Sequence, residues 1–530
     1  MSRSPLVSLI KSLVRSVQHD GHAPLGGSRS SPGGLTRRQA LQQACASALL
    51  GIGAASLGGC SPRQRRQDVP VAIIGGGLAG LTCAWMLLQR GYRVQVYEGS
   101  QRGGGRVFTD RTTFAPIDCE LGGEFIDSDH VTMHHLARIF DIPLIDFGQD
   151  TLKCEKFTAF IGGRRYGFSQ LVEPFRPIGQ AVTDALASLG SISQELVFSR
   201  PQAGIELDRL SISQWLDSIK AGGPIRVLLE KAYTEEYGLD PEHSSALNLL
   251  LSLGPNNTSF DIVGDSDERY HAQGGNVRFV EELSRHLSPG QLHYGHRLES
   301  VGTTSGGRYR LGFASGAESR SVDVEHVVFA LPFTVLRQID LRIELPSRKR
   351  QAIHELGYGV NTKLCCETAS NLWRANGSNG VIYTDRAFQS SWDAGRLQSG
   401  ATGVLTSFTG GRQAQAMAQG PMLPHAKHFL SDFDQVIPGT AAQATGRAVR
   451  IGWHQQPLAL GSYAAYLPGQ YSTIAGSEGG RVGNLHFCGE HTSLMFQGYM
   501  EGAAASGMAV ALELRDDFEG RQAAASAAHA

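Results

Sequence analysis

The chain has 530 residues, more than one compact domain usually contains, so we expect two or three structural units. Hydrophobic residues make up 41 % of the chain and charged residues 18 %, the balance of an ordinary globular protein. The formal net charge is −1, which gives no argument for nucleic acid or for a polybasic membrane attachment. The expected partner is a small molecule.

The N-terminal region is typical of an export signal. Arg37 and Arg38 precede an apolar run of small residues over 44–57 that is too short to cross a bilayer comfortably. The arginine pair is similar to a twin-arginine signal, although Ala40 stands where a bulky apolar residue is common. Cys60 ends a Leu-Gly-Gly-Cys sequence that resembles a bacterial lipobox; cleavage nearby by an ordinary signal peptidase is the alternative. We expect an exported protein, either periplasmic or held by a lipid on the outer face of a bacterial membrane.

The order of the next elements predicts an α/β fold with a parallel sheet. A buried strand over 69–74 is followed by a glycine-rich turn, a helix over 81–90 and a second strand over 92–97, which together form a βαβ unit. Further buried strands are predicted at 327–331 and 485–488, with a helix over 498–514. The nucleotide-binding domain is therefore expected to be assembled from distant segments. Two further stretches are predicted to be mainly helical, 130–140 and 205–253.

The glycine-rich turn carries the pattern Gly75-x-Gly77-x-x-Gly80, with Leu78 and Ala79 between the last two glycines. Because the pattern directly follows a strand and opens a helix, it predicts a dinucleotide site in which the backbone approaches a pyrophosphate. Glu98 ends the second strand, about 20 residues further on, where a carboxylate accepts a hydrogen bond from a ribose 2′-hydroxyl. A carboxylate at this position disfavours the 2′-phosphate of NADP but does not decide between NAD and FAD.

A second motif, Arg102-x-Gly104-Gly105-Arg106, begins four residues after Glu98. Together with Glu98, this stretch resembles the flavin-containing amine oxidases, the family of monoamine, polyamine and L-amino-acid oxidases. The resemblance implies a Rossmann-like FAD-binding domain made of discontinuous segments, a mixed α+β substrate domain, and Arg106 on the pyrophosphate. It predicts these segments: a leader over 1–60, a linker over 61–68, FAD-binding parts at 69–150, 266–335 and 466–516, substrate-domain parts at 151–265 and 336–465, and a flexible tail over 517–530.

Other motifs of the family follow in order along the chain. The stretch from Glu120 to Ile126 looks like a loop that lies along the flavin, and the motif from Phe487 to Ser493 is similar to the one whose glutamate holds the ribityl chain. In the family, a helix beginning near Met500 points its N-terminus at the flavin, where a helix dipole stabilises negative charge. Beyond the glycine-rich turn, Glu98 and Arg106, the resemblance implies these further cofactor-binding residues: Gly122, Gly123, Glu124, Phe125, Leu298, Gly489, Glu490 and Met500.

Three residues match catalytic positions of the family. Lys363 corresponds to an active-site lysine that is linked through water to flavin N5 and assists the reaction with oxygen; the plain alternative is a solvated surface lysine. Tyr463 and Tyr499 match two aromatic residues that flank the flavin face, the alternative being two core tyrosines. Ser462 stands where some monoamine oxidases carry a flavin-linking cysteine, so the FAD is expected to be non-covalent. No spacing of metal ligands is found, and no metal is expected.

The expected reaction is oxidation of an amine's C–N bond to an imine, with reduction of dioxygen to hydrogen peroxide. An L-amino-acid oxidase is the first alternative, weakened because Gly123 is followed by Glu124 and Phe125 rather than by an arginine. Acidic Glu124, Asp127 and Asp129 suit a cationic or polyamine substrate instead. A carotenoid-type desaturase and a flavoprotein without turnover are the remaining alternatives. The oligomeric state stays open, with a homodimer as one alternative.

Overall fold

The computed structural model describes residues 71–190, 204–253, 266–316 and 318–528 of the chain. The predicted export signal, Cys60 and the linker over 61–68 lie outside these described residues. Within them, no helix combines the length and the apolar character needed to cross a bilayer.

The helices are numbered here in chain order. Their bounds are α1 Leu78–Leu88, α2 Val131–Ile139, α3 Phe168–Ser188, α4 Ile205–Asp208, α5 Ile212–Ser218, α6 Gly223–Tyr237, α7 Ala246–Leu253, α8 Val277–Arg285, α9 Phe333–Leu336, α10 Ser347–Glu355, α11 Leu372–Ala375, α12 Gly411–Ala418, α13 Met422–Asp434, α14 Gln470–Thr473 and α15 Met500–Ala528.

The strands are numbered in the same way. Their bounds are β1 Val71–Ile74, β2 Val94–Tyr97, β3 Thr109–Asp110, β4 Cys119–Glu120, β5 Leu144–Asp146, β6 Thr158–Ile161, β7 Arg164–Gly167, β8 Tyr270–Ala272, β9 Leu292–His293, β10 Arg297–Thr303, β11 Tyr309–Ser315, β12 Glu318–Val324, β13 His326–Phe329, β14 Asp340–Arg342, β15 Asn361–Thr368, β16 Ile382–Thr384, β17 Ser390–Asp393, β18 Gly403–Gly410, β19 Ala444–Gly452 and β20 Leu485–Phe487.

A parallel sheet of order β20-β13-β1-β2-β9 forms the centre of the first domain. Strand β1 is buried along its whole length, as its unbroken run of apolar residues predicts. Helix α1 follows the glycine-rich turn, and α15 packs against α1. Since β1, β13 and β20 come from chain positions more than 150 residues apart, the structure confirms an α/β domain assembled from distant segments.

The second domain is built on a mixed seven-stranded sheet of order β19-β15-β18-β17-β16-β6-β7. Helices α3, α5, α6 and α7 lie beside it and share a core that includes Phe175, Trp215, Leu228 and Tyr233. The helices predicted between 205 and 253 are therefore present, and the sheet agrees with the mixed α+β domain that the resemblance implies, although the sequence analysis did not locate its strands. The fold class, α/β with a mixed second domain, is confirmed.

Three features differ from the expectations. Helix α3 was not predicted, because it contains Pro174 and Pro177. Helix α15 continues to Ala528, past the predicted end at 514 and into the predicted flexible tail, since its alanine-rich sequence favours helix. Strand β14 pairs in parallel with β10 in a separate four-stranded sheet of order β12-β11-β10-β14, so this sheet includes residues on both sides of the predicted boundary at 335.

Candidate active site

A cavity of about 490 Å³ lies where the carboxyl ends of β1, β2 and β13 meet the second sheet. Gly75, Glu98 and Ala330 line it from the first domain, and Lys363 and Phe408 line it from β15 and β18. In open α/β sheets, ligands bind outside the carboxyl ends of the strands. The cavity therefore occupies the place that the glycine-rich turn predicts for a dinucleotide.

The glycine-rich turn needs its glycines for close packing. Gly75 has a φ of +111°, and a Cβ added there would press on the carbonyl of Ala330. A Cβ at Gly80 would overlap the Gly75 carbonyl oxygen and lie 3.1 Å from the Ala330 side chain. Gly80 thus brings α1 against β1 behind the cavity, whereas Gly75 and Gly77 line the cavity itself.

Two backbone N–H groups hold the Glu98 side chain in place. Its carboxylate accepts hydrogen bonds from the Gly76 N–H and the Ser100 N–H, each at 2.8 Å. The side chain is buried at the cavity wall. A carboxylate has about four acceptor sites, so two remain for a ribose hydroxyl.

The Arg102–Arg106 loop is fastened to the glycine-rich turn through the Gly104 N–H, which donates to the Gly76 carbonyl at 2.8 Å. Arg106 forms an ion pair with Glu490, with 2.7 Å between Nη1 and Oε1, and also donates to the Ser462 carbonyl. The ion pair connects the loop after β2 with the turn after β20. Both partners line the cavity.

Lys363 lies on β15 and is buried rather than solvated, which excludes the plain alternative of a surface lysine. Its Nζ donates to the Gly122 carbonyl at 2.9 Å, to the Glu120 carbonyl at 3.3 Å and to the Glu124 carboxylate at 2.6 Å. Burial alone would lower the pKa of Lys363, but the adjacent Glu124 carboxylate raises it above the ordinary value. The structure therefore places a protonated lysine at the cavity wall.

Glu124 and Phe125 do not line the cavity, in contrast to the expectation that the whole Gly122–Phe125 stretch contacts the cofactor. The Glu124 carboxylate accepts from Lys363 and, at 2.8 Å, from Nε1 of Trp392. The Phe125 ring packs edge-on against the ring of Trp392, with centroids 5.7 Å apart. The charge of Glu124 is thus compensated within the protein, so it is a poor candidate for binding a cationic substrate.

Tyr463 and Tyr499 both line the cavity. Their hydroxyls donate hydrogen bonds to two adjacent glutamates at the end of α6. The Tyr463 hydroxyl donates to the Glu235 carbonyl at 2.9 Å, and the Tyr499 hydroxyl donates to the Glu236 carboxylate at 3.4 Å. Burial raises the pKa of Glu236 to about 7 and raises that of Glu235, which accepts from Ser390, well above its ordinary value. The sequence analysis missed both glutamates, because no motif surrounds them.

A group of potential metal ligands lies close to Tyr499. Asp127, Asp129 and His130 each offer one ligand atom, and these atoms lie within 4.8 Å of one another. The His130 ring contacts the Tyr499 ring edge-on at 5.4 Å between centroids. Acidic groups gather in this way in many proteins without an ion, so the expectation of no metal stays a prediction.

Most of the predicted site residues meet in this one cavity. Those that line it are Gly75, Gly77, Leu78, Ala79, Glu98, Arg106, Gly122, Gly123, Leu298, Lys363, Tyr463, Gly489, Glu490, Tyr499 and Met500. Gly80, Glu124 and Phe125 lie behind its wall. Phe408, Trp453 and His491 also line the cavity and were not predicted.

The sequence model of the flavin-containing amine oxidoreductase family matches residues 78–514, which is most of the chain. The chain belongs to this family. A probable flavin-containing monoamine oxidase A of Dictyostelium discoideum is 22 % identical over 459 residues, covering 84 % of this chain and 97 % of the relative. A putative L-amino-acid oxidase of Bacillus subtilis is 25 % identical over 471 residues, covering 84 % and 94 %.

Solved structures share the fold. Cyclohexylamine oxidase of Brevibacterium oxydans superimposes with a TM-score of 0.74 at 21 % identity, covering 86 % of this chain and all of the other. Wild-type putrescine oxidase bound to putrescine gives a TM-score of 0.72 at 19 % identity, covering 84 % and 98 %.

FAD is the cofactor of this flavin-containing family member, and the residues present fit it. Gly75 and Gly77 line the cavity without a side chain, so the backbone of the turn lies at the cavity wall, as a pyrophosphate site requires. Glu98 offers acceptors for a ribose at the end of β2. The protein is therefore an oxidoreductase that acts on amines.

Proposed function

We propose that the protein oxidises the C–N bond of a small amine to an imine, which water hydrolyses, and that dioxygen is reduced to hydrogen peroxide. When bound, FAD accepts a hydride equivalent from the α-carbon of the amine and passes two electrons to dioxygen. The chain supplies binding, orientation and electrostatics. Neither the substrate nor the oxidant follows from the family alone, so each needs its own support.

The observation that carries the proposal is the pair of tyrosines in the cavity wall with glutamates behind their hydroxyls. Aromatic faces attract an alkylammonium group, and the nearby Glu236 side chain strengthens this attraction when it is ionised. Burial, together with Glu236, raises the pKa of Tyr499 well above its ordinary value, so its ring carries a neutral phenol at neutral pH. The surroundings of Tyr463 and Tyr499 therefore favour a cationic substrate.

The remaining site residues receive roles as parts of the same proposal. Gly75, Gly77 and Arg106 would hold the pyrophosphate, Glu98 a ribose, and Glu490 the ribityl chain. Met500 opens α15 at the cavity wall, so the N-terminus of this helix favours negative charge there. The expectation of non-covalent FAD is supported by Ser462, whose hydroxyl donates to Asn361 instead of carrying a thioether.

Lys363 is proposed to assist the reaction with dioxygen, because a buried cation stabilises negative charge that develops on oxygen. Its three N–H groups have three acceptors in the structure, two of them carbonyls of the Glu120–Gly122 stretch. It therefore also fixes the loop that lines the cavity.

An L-amino-acid oxidase is the second candidate, because the Bacillus subtilis relative bears that name. Such a substrate needs a cation for its carboxylate. Of the arginines and lysines that line the cavity in the described part of the chain, Lys363, Arg106 and Arg297 are each paired with a glutamate, and Arg102 donates to backbone carbonyls. This arrangement favours an amine without a carboxylate.

The proposal is tested by measuring oxygen consumption and hydrogen peroxide release with monoamines, diamines, polyamines and L-amino acids. We expect one peroxide for each dioxygen consumed, with amines as substrates. Turnover with L-amino acids alone would replace the amine proposal by the second candidate. Oxidation of amines with an artificial electron acceptor, but without peroxide in air, would refute the oxidase part.

A further inference from the structure

Glu124 is the counter-ion of Lys363. Its Oε2 lies 2.6 Å from Nζ of Lys363, and the side chains of the lysine and the glutamate are 7 % and 9 % exposed. Lys363 lines the cavity and Glu124 does not, so the carboxylate acts on the site through the lysine. Removing one member of a buried ion pair leaves the other charge without compensation, which makes each member depend on the other.

Trp392, on β17, contacts both members of this ion pair. Its indole Nε1 donates to Oε1 of Glu124 at 2.8 Å, so one carboxylate oxygen is held by the indole and the other by the lysine. The indole ring also lies beside the ammonium group, with 5.3 Å between Nζ of Lys363 and the ring centroid. This distance is within the range of a cation–π attraction.

Glu120 is another carboxylate near Lys363, but a histidine compensates its charge. Oε1 of Glu120 lies 3.1 Å from Nε2 of His271. Burial lowers the pKa of His271, but the hydrogen bond and the charge of Glu120 raise it above the ordinary value. Lys363 receives only the backbone carbonyl of Glu120 as an acceptor. The ammonium charge is therefore balanced by Glu124.

Cys119 and Cys365 are further titratable groups close to Lys363. A hydrogen bond between the two thiols, followed by burial, raises the pKa of Cys119 well above its ordinary value. The Cys119 thiol is therefore neutral at pH 7 and does not balance the lysine.

We propose that Glu124, oriented by Trp392, is a positioning residue that holds the ammonium group of Lys363 at the cavity wall and keeps it protonated above neutral pH. The inference rests on the proposed role of Lys363 in the reaction with dioxygen, since a neutral amine offers no charge to stabilise negative charge on oxygen. The Glu124 carboxylate also weakens the field of the lysine. Removing its charge should therefore have opposite effects at low and at high pH.

The test reduces the FAD-loaded enzyme by light without oxygen, so that no amine is needed, and follows reoxidation by dioxygen in stopped flow between pH 6 and pH 10. Glu124→Gln keeps the size of the side chain and removes its charge. Relative to the unmodified enzyme, we expect this variant to reoxidise as fast or faster at pH 6 and to slow on the order of tenfold between pH 7 and pH 9, because burial lowers the pKa of a lysine without a counter-ion.

Three further variants separate this effect from a structural one. Trp392→Phe keeps an aromatic ring and loses the donor, so its rate should fall with pH in the same direction but less. Lys363→Met should be slow at every pH, without the fall seen in Glu124→Gln. Glu367→Gln is the matched control, because Glu367 is also buried on β15 but is paired with Arg447 outside the cavity, and it should show the profile of the unmodified enzyme.

Urea unfolding of the FAD-loaded protein tests the ion pair without the reaction. At pH 7 Glu124→Gln should be less stable than the double variant Glu124→Gln/Lys363→Met, which leaves no buried charge without a partner. The difference should shrink toward pH 10: with the folded-state pKa of Lys363 below its unfolded value, the unfolded chain binds more protons, so the stability of Glu124→Gln rises with pH in this range.

The two readouts can fail separately. Rapid reoxidation of Lys363→Met would contradict the proposed role of Lys363 with dioxygen and would leave the ion pair to be judged by unfolding. Parallel pH profiles of Glu124→Gln and the unmodified enzyme, alongside a slow Lys363→Met, would overturn the proposal. Equal stability of the single and double variants at both pH values would show that Glu124 is not the counter-ion and would overturn it as well.

Discussion

Glu236 decides the electrostatics near Tyr499 because its charge changes close to neutral pH. Burial raises its pKa to about 7, the hydrogen bond from Tyr499 opposes the shift, and Asp127 adds to it. Below pH 7 the side chain is mainly a neutral acid, and above pH 7 it is mainly a carboxylate. Attraction of a cationic ligand should therefore strengthen as the pH rises through 7.

A quaternary ammonium inhibitor tests this relation, because its own charge does not titrate. Its inhibition constant should fall roughly tenfold between pH 6 and pH 8 in the unmodified enzyme, a difference of about 1.4 kcal/mol. In Glu236→Gln the constant should stay nearly flat and close to the pH 6 value. An equally steep pH dependence in the variant would show that another group is responsible.

Substitution of Lys363 should affect the oxidative and the reductive half-reactions of the enzyme differently. Lys363→Met should slow the reaction of the reduced enzyme with dioxygen on the order of 10²-fold, and slow reduction by amine much less, because the cation acts where negative charge develops on oxygen. Stopped-flow absorbance measures the two half-reactions separately. Lys363→Arg retains the charge and serves as the control. An unchanged oxidative half-reaction in the methionine variant would contradict the role of Lys363.

The sequence predicted those site residues that belong to short motifs and missed those that do not. Gly75, Glu98 and Glu490 each lie in a short local pattern that can be read directly. Glu236 has no such pattern, and its importance comes from desolvation and from side chains brought near by the fold. A glutamate on an amphipathic helix is most often solvated, so nothing in the sequence around Glu236 pointed to the cavity.

Helices α1 and α15 cross in close contact at Gly507. A Cβ at Gly507 would overlap the Ala79 carbonyl oxygen and lie 3.2 Å from the backbone nitrogen of Cys83. The two helices therefore touch through backbone, and α15 is held directly over the helix that follows the glycine-rich turn. This contact connects the C-terminal segment to the cofactor site.

Gly507→Ala should lower the free energy of unfolding of the FAD-loaded protein by about 1–3 kcal/mol, because the helices must separate. Gly520→Ala lies in the same helix with open space around it and should instead stabilise by about 0.5–1 kcal/mol. Urea unfolding followed by far-ultraviolet circular dichroism measures both. Equal effects of the two substitutions would contradict close contact at Gly507.

The predicted elements were those with a clear apolar pattern. Strands β1, β13 and β20 are short apolar runs, and α6 and α7 match the predicted helical stretches. Strand β15 was missed because it is buried on both faces yet contains Lys363, Glu367 and two threonines, so neither alternation nor an apolar run marks it. The cysteines at 83, 119, 365, 366 and 488 are all buried and serve as small core residues.

For the whole molecule, the order of the motifs along the chain predicted more than any local pattern. Residues 75, 98 and 490 meet at one cavity because they follow or end strands β1, β2 and β20 of one parallel sheet, and residue 363 reaches the same cavity from β15 of the second domain. This arrangement depends on long-range strand pairing, which local propensity does not specify. Export through the signal over 37–60 stays a prediction of the sequence.

The most direct test of the account mixes the FAD-loaded protein with amines in the absence of oxygen and follows the flavin absorbance. We predict that an amine without a carboxylate bleaches the flavin, and that admitting air restores the absorbance and releases one hydrogen peroxide per flavin. A fully FAD-loaded protein that no amine reduces, or that only L-amino acids reduce, would contradict the conclusion that this cavity oxidises amines.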